Sequence, residues 1–528
     1  MDRTQISEIG LIRSATPASG LRRPFTLTID HLWLGAPVLV LLCNSFMFQL
    51  PLLDFWWHLK VGEIIATSHA LPRIDEFSFT AAGHPFIVQN WLAEVMFYAT
   101  YRVGGFPLIV FLTSILAAVG FVLVYRLCFQ ATANRLVVVF LGFVLALSNY
   151  SFTRPQAFSF TLFAAFYFVL SNFRSRRGDF LWILPILMGL WVNLHGAFVL
   201  GLGILLLYMA TEGARRLGAR SYDDALTPRQ LRKLVFVFLL CLAATLANPE
   251  SYRVYDYIRT VVSDPASQQY VSEWQPPRLN QPLSILFFYA PFFLGLLVFT
   301  YAKAKPDLTE AALFFGFGVF AMMSIRNCAW FTTAAYPILA RYLPLVDFRP
   351  LQRLRRFRVV KRAIEAITAT AADRTSSQRV NWAIASLALV FLVGMSPWVR
   401  PAVSNVSLLN AQTPVGAANY IEQQRITGRI YHPQIFGDYL IWRLWPQQRS
   451  FIDGRVHIFD VNFVRDTTFL LHDSHWQQVL ARWDIDYMLL QKGSNDQDTQ
   501  SAIETARNSA LWTKLYEDDI SILFEKTR

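Results

Sequence analysis

The chain has 528 residues, of which 54% are hydrophobic and only 16% are charged, and its mean hydropathy is +0.34. This balance excludes a single water-soluble core, which would not need so much apolar surface, and the excess must face lipid. The net charge of +12 does not indicate nucleic-acid binding, because the segment from Arg400 onward has 13 basic and 15 acidic residues and the positive charge lies in the apolar part.

About eleven apolar stretches have the length needed to cross a bilayer. They lie near 32–50, 106–125, 135–150, 156–172, 180–193, 197–211, 234–248, 283–301, 309–325, 328–345 and 382–399. The fifth and sixth are short, and reading them as two passes keeps the basic clusters on one side, as the positive-inside rule requires. The sequence therefore predicts a cytoplasmic tail at 1–31, a transmembrane domain at 32–399 that is anchored by its first span, and a bacterial plasma-membrane location.

The connection after the tenth span, 346–380, is the most basic of the chain. Seven basic residues fall between Arg349 and Arg362 with no acid among them, so we expect this loop in the cytoplasm next to anionic lipid. The four cysteines all lie in or beside predicted spans. They indicate neither a disulfide framework nor a cysteine zinc site.

The first outer loop, 51–105, begins with Asp54 directly after the first span. The segment from Asp54 to Ser68 has helical spacing, and we expect an amphipathic helix on the membrane surface with Asp54 as its N-cap. A turn-rich stretch follows, and a second amphipathic helix begins near Trp91. Polar residues recur at the outer ends of other spans, and we expect them to line one outward cavity.

From Arg400 onward hydrophobicity falls and the periodicity shortens, which predicts a small extracytoplasmic α/β domain at 400–528. Strands are predicted near 428–432, 449–452, 487–491, 512–517 and 520–525, and helices near 438–444, 475–483 and 498–508. The domain has no phosphate-binding glycine loop and no nucleophile elbow. A binding or lid role is therefore expected of it rather than independent catalysis.

This layout resembles the GT-C type of membrane glycosyltransferase, the superfamily of protein O-mannosyltransferases, lipid A aminoarabinose transferases and oligosaccharyltransferases. Local motifs look like a poorly characterised bacterial branch: Asp54-x-Trp56-Trp57-His58, Pro72-Arg73-x-Asp75-x-Phe77-Ser78-x-Thr80, Trp91-Leu92-Ala93-Glu94, Trp191-x-Asn193-x-His195-Gly196 and Asp453-Gly454-Arg455. The resemblance implies a polyprenyl-phosphate-linked sugar donor and inverting transfer on the outer face. Several relatives hold a divalent metal with paired acids, whereas Phe55 follows Asp54 here, so a Mg²⁺ or Mn²⁺ cofactor stays open.

Glycosyl transfer from a lipid phosphate needs a base for the acceptor hydroxyl and positive charge for the departing phosphate. Asp54 is the candidate base, with simple helix capping as the alternative. Asp75 and Glu94 are further catalytic candidates, or structural acids of a turn and a helix start. Six residues are candidates for substrate binding, each with a structural alternative: His58, Arg154, Asn193, His195, Arg253 and Arg326.

The predicted function is transfer of a sugar from this donor to an envelope glycan, lipid or protein. The alternatives are a non-catalytic carrier of lipid-linked saccharide, an assembly subunit, and a ligase or polymerase of lipid-linked glycans. A transporter would place polar residues near mid-membrane, whereas here they gather at one rim, which favours an enzyme.

Overall fold

The computed structural model describes residues 26–148, 153–218, 224–349, 358, 361, 362, 365, 377–404, 407–468, 476–493 and 497–527. Most of the predicted tail, 1–31, and most of the basic loop, 346–380, lie outside the described residues. The expected contact of that loop with anionic lipid lies outside them as well.

The apolar part of the chain forms a helical bundle. In chain order its helices are α1 (Ile29–Met47), α2 (Phe55–Ser68), α3 (Trp91–Ala131), α4 (Arg135–Ser148), α5 (Gln156–Arg174), α6 (Ile183–Trp191), α7 (Phe198–Leu217), α8 (Pro228–Ala244), α9 (Arg253–Ser263), α10 (Pro265–Tyr270), α11 (Pro282–Tyr301), α12 (Leu308–Met323), α13 (Cys328–Tyr342) and α14 (Gln378–Gly394). All except α2, α9 and α10 correspond to a predicted span, and α6 and α7 are separate helices, as the charge pattern predicts.

Six of the described helices have the length and hydropathy to cross a bilayer, namely α1, α3, α5, α7, α8 and α11, and α4, α12 and α14 are shorter apolar helices. Apolar side chains are exposed along them, for example Leu387 at 72% and Leu297 at 59%. Such exposure in water would be costly, whereas in lipid it is not. The chain is therefore a multi-pass α-helical membrane protein.

Helix α3 joins the second amphipathic segment of the first loop to the second span. It bends at Gly104 and Gly105, and Gly105 has φ +63°, which an L side chain rarely adopts. Pro107 begins the second part of the helix, where its missing N–H matters least. This bend lets the segment from Trp91 depart from the direction of the span, so Glu94 belongs to the loop and not to the lipid-facing part.

The C-terminal part is the expected small α/β domain. Its elements are α15 (Arg400–Ser404), α16 (Val415–Gln423), β1 (Ile430–Tyr431), α17 (Gln434–Leu444), α18 (Val461–Thr468), α19 (Trp476–Arg482), β2 (Tyr487–Gln491), α20 (Gln497–Asn508), β3 (Trp512–Glu517) and β4 (Ser521–Lys526). The strand order is β1-β2-β4-β3, with β1 parallel to β2 and the other two pairs antiparallel. In the register Leu489 lies opposite Leu523, and both are fully buried.

The predicted strand at 449–452 is wrong. Ser450 instead forms one isolated bridge to Ser78 of the first loop, in which Ser450 N donates to Phe77 O at 2.8 Å and Phe79 N donates to Ser450 O at 3.1 Å. The pairing partner of this segment is therefore the first loop, in the N-terminal part of the chain. The first loop and the C-terminal domain are thus joined by backbone hydrogen bonds.

Helix α2 also differs from its prediction, because it does not lie exposed on a membrane surface. Residues 55–62 are all buried, with α2 packed between α3 and α17. Trp56 is fully buried, and its ring meets the Tyr439 ring edge-on at 4.9 Å. The C-terminal domain covers the face that the pattern assigned to the membrane surface, so Trp56 and Trp57 are core residues.

A buried charge cluster holds the loop to the domain. The Arg455 guanidinium donates to Asp75 Oδ1 at 2.6 Å and to Asp453 Oδ2 at 2.6 Å, and all three side chains have zero exposure. The guanidinium also faces the rings of Phe77 at 4.9 Å and Phe86 at 5.1 Å. We call Asp75, Asp453 and Arg455 the loop–domain cluster.

Candidate active site

One end of the bundle contacts the C-terminal domain, and we call it the domain end. The connections after α1, before α5, between α6 and α7, and between α12 and α13 all meet there. These connections carry Asp54, Arg154, His195 and Arg326. The site is built from helix termini and loops of the membrane domain beneath the C-terminal domain.

Asp54 lies immediately before α2 with φ +67° and ψ −50°, a conformation that costs a non-glycine residue about 1–3 kcal/mol. Its carboxylate does not cap α2, which corrects the capping prediction. The carboxylate forms an ion pair with Arg154 Nη1 instead. A strained backbone that directs a carboxylate toward an arginine is typical of functional sites.

The C-terminal domain supplies the contacts that hold Asp54 in this conformation. Asp438 Oδ2 accepts a hydrogen bond from Asp54 N, and Asp438 Oδ1 accepts one from Gly454 N at 2.7 Å. A Cβ on Gly454 would lie 2.7 Å from both Asp54 Oδ1 and Asp438 Oδ2, so only glycine fits. Burial and the nearby charges of Asp453 and Asp54 raise the pKa of Asp438 well above its ordinary value.

Two partly buried arginines lie near this carboxylate. Arg154 also reaches Glu273 Oε2 at 3.3 Å, and the Arg326 guanidinium lies over the Trp274 ring at 4.4 Å. The Glu273 segment is tied to the start of α13 because Ser324 Oγ donates to Glu273 O at 2.8 Å. Burial, aided by the like charge of Arg154, lowers the pKa of Arg326 against the opposing effect of Glu273. Two guanidinium groups this close favour an anionic ligand.

His195 adds a neutral hydrogen-bond donor. Its Nδ1 accepts from Ala197 N at 3.2 Å and lies 2.9 Å from Ser159 Oγ, which itself accepts from Trp191 Nε1 at 2.7 Å. Since Nδ1 is an acceptor, the ring proton is on Nε2. Burial and the charge of Arg326 lower the pKa of His195 to about 3, so the ring stays neutral at physiological pH.

His58 and Glu94 form a second buried pair, with His58 Nδ1 and Glu94 Oε1 2.8 Å apart. Burial and the charges of Arg154 and Arg455 lower the pKa of His58 well below its ordinary value. Among the residues that the structure describes, Glu94 Oε2 has no hydrogen-bond partner. The backbone N of His58 donates to Asp54 O at 3.2 Å, as expected in the first turn of α2.

Three of the candidates are held elsewhere. Asp75 belongs to the loop–domain cluster, where Ser78 Oγ also donates to it at 2.5 Å. The Asn193 amide joins helices, accepting from Trp91 Nε1 and donating to Gly189 O, both at 2.7 Å.

Arg253 is half-exposed and pairs with Glu250 at 3.3 Å, beside the Arg73–Glu250 pair at 2.5 Å. Its guanidinium therefore serves Glu250, whereas Arg154 pairs with Asp54 and Glu273.

The residues at the site do not fit a divalent cation. Within the described ranges there is no group of three His, Cys, Asp or Glu side chains placed to hold a metal. The Asp54 carboxylate faces Arg154, and both Asp438 oxygens already accept backbone N–H groups. Mg²⁺ and Ca²⁺ need several oxygen ligands, whereas the Asp54 carboxylate has a guanidinium group as its neighbour.

The residues that sequence reasoning missed come mainly from the C-terminal domain. Asp438 and Gly454 contact Asp54 directly, and Glu273 contacts Arg154. The Asp453-Gly454-Arg455 motif indicated that Gly454 is a functional residue. Its distance from Asp54 along the chain gave no indication that the two lie close together. Glu273 had no signal beyond its place in a polar loop.

No known family's sequence profile matches the chain, and no curated protein matches it. Solved structures do match. The archaeal oligosaccharyltransferase AglB from Archaeoglobus fulgidus, in complex with an inhibitory peptide and a dolichol-phosphate, matches over 88% of this chain and 69% of its own, with 13% identity and a TM-score of 0.50.

Two further matches have lower TM-scores. ArnT from Cupriavidus metallidurans bound to undecaprenyl phosphate matches over 93% of this chain and 97% of its own, with 13% identity and a TM-score of 0.46. Arabinosyltransferase EmbB from Mycobacterium smegmatis matches over 98% and 47%, with 12% identity and a TM-score of 0.44. On this likeness, the chain has the fold of the archaeal oligosaccharyltransferase AglB.

Proposed function

We propose that the chain is a membrane glycosyltransferase that moves a sugar from a polyprenyl-phosphate-linked donor to a hydroxyl of an envelope acceptor on the outer face of the plasma membrane. The observation that carries this proposal is the proximity of one carboxylate with a strained backbone, Asp54, to two partly buried guanidinium groups, Arg154 and Arg326. A base and an anion site are the two parts that the reaction needs. The dolichol-phosphate in the AglB complex agrees with this donor class.

In the proposed reaction the acceptor oxygen attacks the anomeric carbon from the face opposite the phosphate, and Asp54 takes the hydroxyl proton. The bond from the anomeric carbon to the phosphate oxygen breaks, and the lipid phosphate leaves with the electron pair. Arg154, Arg326 and the Nε2–H of His195 stabilise the charge that develops on that phosphate. The phosphate competes with Asp54 for Arg154, so donor binding frees the carboxylate to act as a base.

The structural contacts narrow the set of residues in this proposal. Glu94 positions the ring of His58, which lies in the first turn of α2 after Asp54. Asp75, Asn193 and Arg253 are left out of the reaction, because their polar atoms already serve contacts that hold the fold.

The test compares Asp54→Asn with wild type and with Glu76→Gln, an exposed acid of the same loop. Lipids that co-purify with each protein in detergent are analysed by mass spectrometry before and after incubation with an envelope fraction. We expect the wild type and Glu76→Gln to convert a glycosylated polyprenyl phosphate into free polyprenyl phosphate. Asp54→Asn should retain the glycosylated lipid and slow its conversion at least about a hundredfold.

Equal conversion by Asp54→Asn would remove the assigned base and favour a non-catalytic carrier. Absence of a glycosylated lipid from both proteins would contradict the donor class.

A further inference from the structure

A cavity of about 590 Å³ lies at the opposite end of the bundle from Asp54. Helices α3, α5 and α13 each begin at the domain end and reach this cavity with their last turns. The carboxylates of Asp54 and its neighbours take no part in its lining. It is therefore a separate site, reached from the other side of the membrane domain.

The cavity has a polar rim and an apolar wall. Its wall includes Leu127, Leu313, Pro337 and Ile338, of which Leu127, Leu313 and Ile338 are at most 5% exposed. Its rim carries four arginines and three acids: Arg174, Arg176, Arg177, Arg341, Asp224, Asp307 and Glu310. This division suits a ligand with one polar end and one aliphatic end.

Each acid of the rim forms an ion pair with an arginine. Asp307 pairs with Arg174. Glu310 Oε1 accepts from Arg341 Nη1 at 2.7 Å, and Asp224 Oδ1 accepts from Arg215 Nη2 at 2.7 Å. In this part of the structure all three carboxylates of the rim therefore have a guanidinium partner, and Arg174 and Arg215 also pair with the buried Glu212.

Arg176 and Arg177 of the rim take no part in these ion pairs. Arg177 Nη2 donates to the backbone oxygen of Gln130 at 2.9 Å, and within the described ranges neither Arg176 nor Arg177 has an acidic partner. Both are exposed at the rim, where water or an anion can reach them.

The backbone at Arg176 supports a role for its side chain. Helix α5 ends in a Schellman motif, in which Arg177 N donates to Asn172 O at 2.9 Å and Arg176 N donates to Phe173 O at 3.1 Å. Arg176 has φ +54° at the position where glycine is preferred. An arginine there costs about 1 kcal/mol relative to glycine. Its side chain is kept at the rim in spite of this strain.

We propose that this cavity is a second ligand site, which binds the phosphate group of an alkyl or isoprenoid phosphate at Arg176 and Arg177, with the aliphatic chain against Leu127, Leu313 and Ile338. Phosphate suits the pair because each guanidinium offers several donors. The apolar wall would gain nothing from free phosphate, so we assign the phosphate to an amphiphile.

The experiment uses the full-length protein in nanodiscs of phosphatidylcholine and a dodecyl phosphate with a diazirine at the end of its chain. After irradiation, the labelled peptides are identified by mass spectrometry, which separates this cavity from the phosphate site proposed near Asp54. We expect labels in 308–323 and around Pro337. Unlabelled dodecyl phosphate should compete, whereas dodecanol and inorganic phosphate at the same concentration should not.

Two variants test the rim and the wall. The double variant Arg176→Gln/Arg177→Gln should weaken competition at this position at least about tenfold, since charge-assisted hydrogen bonds are lost. Ala131→Phe, which fills the cavity without changing charge, should also reduce labelling. The matched control is Arg229→Gln/Arg232→Gln, which removes two exposed arginines from the first turns of α8 and should leave labelling unchanged.

Equal labelling in the Arg176/Arg177 double variant and the wild type would overturn the proposal, as would labels spread evenly over the lipid-facing helices. Full competition by inorganic phosphate would overturn the assignment to an amphiphile. Labelling at the cavity in the Asp54→Asn variant, whatever its transfer activity, keeps this inference independent of the proposed reaction.

Discussion

At the scale of single residues, the site depends on how Asp54 is held. Its positive φ is held from the C-terminal domain, by the Asp438 carboxylate that accepts from Asp54 N. Gly454 closes the same contact, since no room for a Cβ exists between Asp54 and Asp438. The proposed base is therefore placed by two residues that are nearly 400 positions away in the chain.

We predict that Gly454→Ala reduces sugar transfer by about a hundredfold, because a displacement of about 1 Å at a reacting group has effects of that size. The added Cβ would have to push the Asp54 carboxylate aside. Turnover of the co-purified donor and the melting temperature are measured together. Gly203→Ala, where a Cβ meets nothing within 4 Å, is the control. Full turnover in Gly454→Ala would show that the contact does not position Asp54.

Much of this site follows from the sequence and part of it does not. Polar residues at one set of span ends predict a shared rim, and the structure brings Asp54, Arg154, His195 and Arg326 to that rim. Asp438 has no such signal, because it sits inside an ordinary helix of another domain. Contacts between distant segments depend on tertiary packing, which periodicity does not report.

At the scale of elements, the membrane spans were predictable, because each is recognised from the length of its own apolar segment. The bend in α3 and the burial of α2 were not, since each depends on a neighbour that the local pattern does not contain. The mistaken strand at 449–452 has the same origin. Its pairing partner is the first loop and not a strand of the sheet.

The loop–domain cluster carries the second prediction. Arg455→Met leaves Asp75 and Asp453 buried without their cation, and we expect a loss of about 3–5 kcal/mol in the free energy of unfolding. The triple variant Asp75→Asn/Asp453→Asn/Arg455→Met removes every charge of the cluster and should recover part of that loss. Thermal unfolding of purified protein gives both values. An unchanged melting temperature for Arg455→Met would show that the cluster does not hold the domain.

At the scale of the whole molecule, the bundle separates two chemically different ends. The domain end has Asp54 with two arginines, and the opposite end has the cavity with its cationic rim. The basic clusters predict that the opposite end faces the cytoplasm. The proposed sugar transfer needs this orientation, since its donor and the envelope acceptor meet outside the cell.

The orientation is tested with single cysteines in a variant whose four native cysteines are replaced by alanine. Ala82→Cys lies in the first loop and Arg229→Cys at the start of α8, and both positions are exposed. We predict that a membrane-impermeant maleimide labels Ala82→Cys in intact cells, and Arg229→Cys only after permeabilisation. The reverse pattern would place the proposed reaction on the cytoplasmic side and contradict it.

The loop–domain cluster also determines how the protein can be dissected. A protease cut between α14 and α15 separates the chain by composition into a membrane fragment and a water-soluble one. Yet it divides the cluster unevenly: Asp75 stays with the membrane fragment, while Arg455 leaves together with Asp453. The rings of Phe77 and Phe86 would be stripped of the guanidinium that covers them. Each fragment loses contacts that bury its part of the cluster. We therefore do not expect the two fragments to fold independently, although their compositions differ.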